Sequence, residues 1–233
     1  MKKLLVGISI VAGAILSLFS APAYAVPSCT GVTDTVSSGT VVQGSFLAVA
    51  GNCVSAGDKI FGNFSGTGGS GAAAASFTFA NPFGNVTIGI TDAIGSSATA
   101  TLSYAVAVTP AGQALGWMIE DLTKDFTLNQ ASASGPTASG TLLGTSPDVP
   151  SLNIDCVRHD PAQAGDNCPE RQTFGALASL TINETLTTGA NTNVSALTDT
   201  ISQIQVTNTP EPASLILLGT GLLGLGAVVR RRR

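Results

Sequence analysis

The chain has 233 residues, of which 44% are hydrophobic and only 10% charged, and its formal net charge is −4. This length suffices for a single domain with a substantial core. Between residues 26 and 209 four cations stand against thirteen acids, which gives that segment a net charge of −9. Nucleic-acid binding needs clustered Lys and Arg, so we expect no nucleic-acid partner.

The N-terminus has the three parts of a secretory signal peptide. Lys2 and Lys3 form a basic segment, residues 4–18 an apolar one, and Ala23 to Ala25 a small-residue cleavage site. We therefore expect signal peptidase to remove residues 1–25, cutting after Ala25. An uncleaved N-terminal anchor is the alternative.

Apolar and polar residues alternate with a period of two along much of the chain that follows. In residues 98–108, Ala, Leu, Tyr and Val occupy one face, and Thr, Ser and Ala the other. This alternation is typical of half-buried antiparallel strands. The predicted strands are residues 40–49, 60–64, 76–79, 86–91, 98–108, 116–121, 126–130, 152–157, 179–186 and 203–207.

Short strands separated by Gly, Pro, Asn and Asp predict an all-β fold. We expect residues 26–207 to form an exported antiparallel domain, a β-sandwich or jelly-roll-like fold of roughly eight to ten strands. The polar stretches 131–150 and 187–198 contain no clear alternation and are predicted to be loops.

Four cysteines lie in the predicted domain: Cys29, Cys53, Cys156 and Cys168. In an oxidising compartment they form two disulfides, for which three pairings are possible. We favour Cys29–Cys53 and Cys156–Cys168, because each closes a short local loop. A structural metal site needs several His or Cys ligands, and the chain has one histidine, so we expect none.

Residues 66–71 have the GxGxxG spacing of dinucleotide-binding loops. That motif requires a following helix whose N-terminus faces the pyrophosphate. Here four alanines lead directly into the predicted strand 76–79. We interpret the segment as a glycine-rich loop and expect no cofactor.

Candidate catalytic groups are few. His159 is the only histidine, and no GxSxG sequence supplies a nucleophile for it. The acids that could support glycoside hydrolysis are Glu120, Asp121, Asp125 and Glu184, and Trp117 is the only tryptophan that could stack on a sugar. We favour structural roles for these residues and expect no enzymatic activity.

Two further patterns suggest binding. Oxygen ligands for Ca²⁺ lie in or next to the Cys156–Cys168 loop: Asp155, Asp160, Asp166, Asn167 and Glu170. Their spacing matches no known calcium loop, so calcium binding remains an alternative.

The pairs Thr99/Thr101 and Thr33/Thr35 resemble parts of the threonine arrays of ice-binding surfaces. Two isolated pairs do not make an array, and we interpret them as ordinary strand residues.

The C-terminus carries a hydrophobic segment with a basic end. Residues 213–229 contain no charge, and Arg230, Arg231, Arg232 and Arg233 follow. As a helix the apolar run would be about 25 Å long, at the short limit for a membrane span. The arginines would hold its end on the cytoplasmic side, with the preceding domain outside.

Directly before this segment lie Pro210, Glu211 and Pro212. The tripeptide, the Gly/Leu-rich span and the arginine cluster together resemble the PEP-CTERM sorting signal of Gram-negative bacteria, here residues 208–233. The resemblance implies processing by exosortase, a membrane-embedded cysteine transpeptidase, near the tripeptide at the outer boundary of the inner membrane. Two prolines favour the extended backbone that a protease needs.

The resemblance also implies a function. We expect an exported protein that is anchored transiently in the inner membrane with its domain in the periplasm, and is then delivered to the cell surface or extracellular space. Proteins of this class are associated with exopolysaccharide and biofilm, so we expect a structural or adhesive role there. A carbohydrate- or calcium-binding module is the alternative, and a secreted hydrolase is less favoured.

Overall fold

The computed structural model describes residues 27–68, 74–130, 137–146, 149–159, 164–190, 192–206 and 219–220. The predicted signal peptide, the Pro210–Pro212 tripeptide and the arginine cluster lie outside these residues, as does the 213–229 span except for residues 219–220. Within the described part of the chain, no helix has the length and apolar character needed to cross a membrane.

The described residues contain thirteen strands and two short helices joined by turns and loops, and residues 219–220 are helical as well. The strands are β1 (Thr33–Val36), β2 (Thr40–Gln43), β3 (Cys53–Ala56), β4 (Lys59–Thr67), β5 (Ala74–Thr78), β6 (Val86–Ile94), β7 (Thr99–Val108), β8 (Trp117–Gln130), β9 (Thr137–Ser146), β10 (Val149–His159), β11 (Glu170–Leu177), β12 (Ser179–Thr188) and β13 (Thr192–Gln205). The helices are α1 (Gly44–Leu47) and α2 (Pro110–Ala114).

The strands form two sheets. The seven-stranded sheet has the order β1-β3-β4-β7-β12-β9-β10, and the six-stranded sheet has the order β11-β8-β13-β6-β5-β2. All described strand pairs are antiparallel except β1 and β3, which run parallel. The predicted all-β class is therefore confirmed.

The two sheets pack face to face over one hydrophobic core. On β12 buried and exposed residues alternate strictly from Leu180 to Thr188, because successive side chains of a strand point to opposite faces. Phe61 on β4 contacts Phe77 on β5 of the other sheet, with ring centroids 5.2 Å apart. Tyr104 on β7 lies 6.5 Å from Phe61. Residues from both sheets thus share one aromatic cluster, as in a β-sandwich.

Both disulfides connect the pairs favoured from the sequence, Cys29–Cys53 and Cys156–Cys168. The first joins the N-terminal segment to β3, beside which β1 lies in register from Thr33 opposite Cys53. The second links β10 to Cys168, which lies two residues before β11. Each therefore attaches a peripheral segment to the sandwich.

The prediction of a loop over residues 131–150 was wrong, since β9 occupies Thr137–Ser146. The inward positions of β9 are Ala138, Gly140, Leu142 and Gly144, all buried. Small residues are needed there because long side chains from other strands fill the space: a Cβ on Gly140 would lie 2.7 Å from Lys124 Cε. The strand therefore has no apolar alternation in its sequence.

The predicted loop over residues 187–198 was also wrong. β12 ends at Thr188 and β13 begins at Thr192, so only three residues separate the two strands. The first half of β13 was missed because some of its buried positions are polar, such as Thr192. Other strand boundaries differed as well. The predicted strands 116–121 and 126–130 are one strand, β8, and the predicted strand 40–49 ends at Gln43, where α1 follows.

Three further strands were not predicted, β1, β3 and β11, so the count exceeds the eight to ten expected. β1 and β11 are edge strands. Most of their side chains are at least partly exposed, so neither face needs a continuous apolar pattern. β3 is only four residues long.

Gly116 lies immediately before the first residue of β8 and provides a test of the packing there. Its φ is +81°, and an added Cβ would lie 2.2 Å from the carbonyl oxygen of Val206. We expect Gly116→Ala to lower the free energy of unfolding by at least about 1–2 kcal/mol, the cost of the left-handed conformation for an L-residue. Urea unfolding followed by circular dichroism measures it.

The matched control is Gly175→Ala on β11. No atom lies within 4 Å of its added Cβ, and its φ is not in the left-handed region. This variant should stay within about 0.5 kcal/mol of the parent protein, as surface substitutions usually do. Equal effects of the two alanines would contradict the geometry described for Gly116.

Candidate functional site

The outer face of the seven-stranded sheet carries an array of hydroxyl side chains, here called the hydroxyl face. Its members are Ser65, Thr67, Thr99, Thr101, Ser103, Ser139, Thr141, Thr145, Thr181, Thr185 and Thr187, with Asn183 and Leu143 among them. They lie on the four adjacent strands β4, β7, β12 and β9. All are exposed or half-buried.

The strand register arranges these side chains in rows across the sheet. One row consists of Thr67, Thr101, Thr185 and Thr141. A second consists of Ser65, Ser103, Asn183 and Leu143, and a third of Thr99, Thr187 and Ser139. Neighbouring members of a row are about 4.8 Å apart, and successive rows about 6.8 Å apart along the strands.

Cross-strand hydrogen bonds order several of these side chains. The hydroxyls of Thr67 and Thr101 are 2.8 Å apart. Ser103 donates to Asn183 Oδ1 over 2.8 Å, and the hydroxyls of Thr99 and Thr187 are 3.3 Å apart. The remaining lone pairs and protons of an exposed hydroxyl can bond to solvent or to a ligand.

The hydroxyl face is uncharged among its described members. A carboxylate enters the first row only on the next strand, where Asp155 of β10 lies opposite Thr141. The face therefore offers regularly spaced donors and acceptors without a strong field.

The structure revises the interpretation of Thr99 and Thr101 as an isolated pair. Register places them beside the threonines of β12 and β4, a relation that the sequence does not display. Thr33 and Thr35 lie apart from them, exposed on the edge strand β1. Repeated Thr at alternate positions of residues 181–187 was the available signal, but register was needed to align it with residues 99–101.

Charged groups also lie inside the sandwich. Lys124 on β8 forms an ion pair with Glu184 on β12, and both side chains are at most 1% exposed. Tyr104 on β7 donates a 2.6 Å hydrogen bond to Asp199 Oδ2 on β13. Burial lowers the pKa of Lys124 to about 8, although the negative charge of Asp199 acts in the opposite direction. Burial likewise raises the pKa of Asp199, against the effects of Lys124 and the Tyr104 hydrogen bond.

A second buried ion pair lies at the other end of the core. Lys59 donates to Asp58 Oδ1 at 2.9 Å, to Gly84 O at 2.7 Å and to Gln203 Oε1 at 2.6 Å. Gln203 in turn donates to Asp58 Oδ2 at 2.9 Å. Burial lowers the pKa of Lys59, and the adjacent Asp58 carboxylate partly offsets this effect. The ammonium has three acceptors, so the group is fully satisfied.

The four candidate catalytic acids do not come together on one surface. Glu184 and Asp121 are buried, paired with Lys124 and Arg171 respectively. Asp125 is partly exposed and pairs with Arg158 at 2.8 Å, and Glu120 is half-buried on the same strand.

The remaining residues singled out from the sequence have local partners. His159 Nδ1 lies 2.5 Å from Asp166 Oδ1 within the Cys156–Cys168 loop. Trp117 is half-buried and stacks on Phe83, with ring centroids 6.2 Å apart. Of the glycine-rich segment 66–71, residues 66–67 are the end of β4, residue 68 follows the strand, and the rest lies outside the described residues.

The described residues form no cluster of ligands that would support the alternative of calcium binding. Among them, no group of three or more His, Cys, Asp and Glu side chains could hold a metal ion. Asp160 lies outside that part of the chain. Asn167 is engaged in the loop itself, accepting from Val157 N at 2.7 Å and donating to Asp155 O at 2.6 Å.

Two facing sheets, two disulfides and an uncharged hydroxyl face define an all-β protein of the sandwich type. Comparison with protein-family models identifies a sorting motif at the C-terminal end of the chain. The model of the PEP-CTERM protein-sorting motif matches residues 208–233. The chain thus carries a PEP-CTERM sorting motif, which marks an exported protein with a C-terminal sorting signal, and the resemblance inferred from Pro210, Glu211 and Pro212 is confirmed.

No curated protein sequence matches the chain. Among solved structures, the chain is similar to TmCBM61 in complex with β-1,4-galactotriose, with 11% sequence identity and a TM-score of 0.32. The match covers 62% of this chain and 89% of that one. A likeness this low bears on neither the ligand nor the function of the present protein.

The Lys59 cluster provides a second prediction. We expect Lys59→Met to lower the free energy of unfolding by about 3–5 kcal/mol, because the buried Asp58 carboxylate loses its cation. The measurement is urea unfolding of the oxidised protein.

The double variant Lys59→Met/Asp58→Asn is the control. It removes both charges and keeps an amide for Gln203, so it should recover most of the lost stability. A double variant as unstable as the single one would show that packing of the lysine stem, rather than charge pairing, holds this end of the core.

Proposed function

We propose that the protein is an exosortase-sorted structural or adhesive component of the cell surface or extracellular matrix. The observation that carries this proposal is the PEP-CTERM motif at residues 208–233. The signal peptidase that removes residues 1–25 and the exosortase that acts near Pro210–Pro212 are the processing partners. Before the second cleavage, the apolar segment 213–229 holds the domain at the periplasmic side of the inner membrane.

We assign the adhesive contact to the hydroxyl face, and its occupant to a neutral stretch of the exopolysaccharide matrix. Sugar hydroxyls need partners that both donate and accept, as Thr and Ser hydroxyls do. Rows such as Thr67, Thr101, Thr185 and Thr141 repeat such groups across four adjacent strands. The absence of charge among the described members of this face disfavours an ionic ligand.

The proposal assigns no catalytic role to the domain. Glu184 pairs with the buried Lys124 and Asp121 with the exposed Arg171, and His159 pairs with Asp166. A hydrolase panel tests this assignment, since turnover that is abolished by Glu120→Gln or His159→Ala would replace it with an enzymatic function. Calorimetric titration with Ca²⁺ and with oligosaccharides tests the alternative of a dedicated binding module.

Sorting is tested by replacing Pro210, Glu211 and Pro212 with alanine in cells that carry an exosortase. The parent protein should lose its C-terminal tail and leave the inner-membrane fraction. The triple variant should keep the tail and stay in that fraction, because the recognition motif is absent. Cell fractionation with mass spectrometry of the C-terminal peptide provides the readout.

The control replaces Pro110 and Glu120, a proline and an acid outside the motif, with alanine. This variant should be processed like the parent protein. Removal of the tail from the triple alanine variant, at the parent rate, would refute the sorting role of the tripeptide.

Adhesion is tested with Thr101→Val/Thr185→Val, which removes two adjacent hydroxyls and keeps the side-chain shape. Two lost hydrogen bonds at about 1 kcal/mol each should weaken binding to isolated exopolysaccharide by at least about tenfold. Sedimentation of the purified mature protein with the polysaccharide measures this.

The control is Thr127→Val/Thr173→Val, two exposed threonines of the six-stranded sheet. Binding by this variant should match that of the parent protein. Equal binding by both double variants would remove the assignment to the hydroxyl face while leaving the sorting prediction intact.

A further inference from the structure

The contact between Lys124 and Glu184 has an unusual setting. Lys124 belongs to β8 of the six-stranded sheet and Glu184 to β12 of the seven-stranded sheet, so the lysine side chain crosses the whole core. Its Nζ touches Glu184 Oε1, and neither side chain is more than 1% exposed. An amine and a carboxyl group are thus held against each other away from water.

The surrounding residues keep the two groups together. Gly140 on β9 leaves room for the end of the lysine, since a Cβ there would lie 3.0 Å from Lys124 Nζ and 3.1 Å from Leu186 Cδ1. Leu186 and Ile182 flank Glu184 on the inward face of β12, and both are buried. The amine and the carboxyl therefore meet in an apolar pocket.

A second carboxyl group belongs to the same cluster. Asp199 on β13 lies directly opposite Lys124 in the β8–β13 register. The Tyr104 hydroxyl orients it through a hydrogen bond to Oδ2. Asp199 Oδ1 and Glu184 Oε2 are buried and have no hydrogen-bond partner among the described residues.

This arrangement is costly as an ion pair. The Lys124 ammonium has three N–H donors, and among the described residues Glu184 Oε1 is the one polar atom in contact with it. Two charges removed from water need additional hydrogen bonds to repay their desolvation. By contrast, the Lys59 pair at the other end of the core satisfies every donor.

From this geometry we propose that Lys124 and Glu184 form an intramolecular isopeptide bond, with Asp199 as the proton carrier. Burial supports the neutral amine that the reaction needs, because it lowers the pKa of Lys124 to about 8. It also raises the pKa of Asp199, so that this group can hold a proton. The inference is independent of the adhesive role proposed above.

The reaction is a condensation that needs no oxidant or other co-reactant. One proton of the Lys124 ammonium first passes to the Glu184 carboxylate, which leaves a neutral amine and a neutral carboxyl group. The lone pair of Nζ then attacks Glu184 Cδ, and a bond between Nζ and Cδ forms while one bond between Cδ and a carboxyl oxygen breaks. Of the three protons on the lysine ammonium, one stays on the amide nitrogen and two leave with that oxygen as water. Asp199 accepts a proton from nitrogen and returns one to the departing oxygen, so its own protonation state is unchanged at the end.

The product suits the pocket better than the reactants do. Two buried charges disappear, and the new amide has one N–H donor and one carbonyl acceptor. Asp199 lies opposite Lys124 on the neighbouring strand, and its Oδ1 is an unpaired acceptor that this N–H could bond to. The bond would connect β8 to β12, and thus one sheet to the other.

Peptide mapping tests the proposal without any variant. The full chain is purified, reduced, alkylated, and digested with trypsin under denaturing conditions. We expect no cleavage after Lys124, and a branched peptide in which the segment containing Lys124 is joined to the segment that begins at residue 172 and contains Glu184. Its mass should be one water less than the sum of the two segments. Cleavage after Lys124 together with an unlinked Glu184 peptide would overturn the proposal.

Variants then assign the roles. Lys124→Arg should release the two segments, because the guanidinium does not condense with a carboxyl group under these conditions, and trypsin should cleave after the new arginine. If this variant still gave a branched peptide that joins the same two segments, the assignment of the nitrogen to Lys124 would be refuted.

Asp199→Asn keeps the side-chain size but removes the proton carrier. We expect a folded protein, with an unchanged near-ultraviolet circular dichroism spectrum, in which bond formation after refolding is slowed by about 100-fold or more. A purely structural role of Asp199 would instead reduce the folded fraction and leave the folded molecules linked. Linkage at the parent rate would exclude Asp199 from the reaction.

Discussion

Contacts between polar side chains across the core fix how the two sheets face each other. Lys124 meets Glu184, and Tyr104 meets Asp199, in each case from opposite sheets. A buried charge without its partner is strongly destabilising. Sliding one sheet over the other by a single residue, about 3.4 Å along the strands, would separate these pairs. The apolar residues supply most of the burial, whereas these few polar contacts determine the alignment.

The pairing of charged side chains also explains the composition of the outer surface. The described cations of the domain, Lys59, Lys124, Arg158 and Arg171, each pair with a carboxylate inside the sandwich or at its rim. The outer face of the seven-stranded sheet is left with hydroxyl groups on four adjacent strands. Threonine satisfies two demands there, since its branched side chain favours the strand and its hydroxyl bonds across strands or outward.

The sequence predicted best where inward residues are large and apolar. Residues 98–108 alternate clearly and form β7, and short loops predicted both disulfides. β9 was missed because its inward positions are small wherever Lys124 and Leu152 occupy the space. Glu184 could have been placed in the core, because it shares the alternate positions of Leu180, Ile182 and Leu186. Its partner could not, since nothing in one sequence aligns β8 with a strand of the other sheet.

The position of β13 determines how the domain responds to mechanical load. β13 is the last described strand, it lies between β8 and β6, and the sorting motif follows it in the chain. A pulling force applied to the C-terminal sorting segment would therefore enter the fold through β13. A strand pulled lengthwise between two antiparallel neighbours must break its hydrogen bonds together in shear, whereas an edge strand peeled sideways loses them one at a time. The C-terminal segment is therefore joined to the sandwich through a strand with a hydrogen-bonded neighbour on each side, and not through an edge strand.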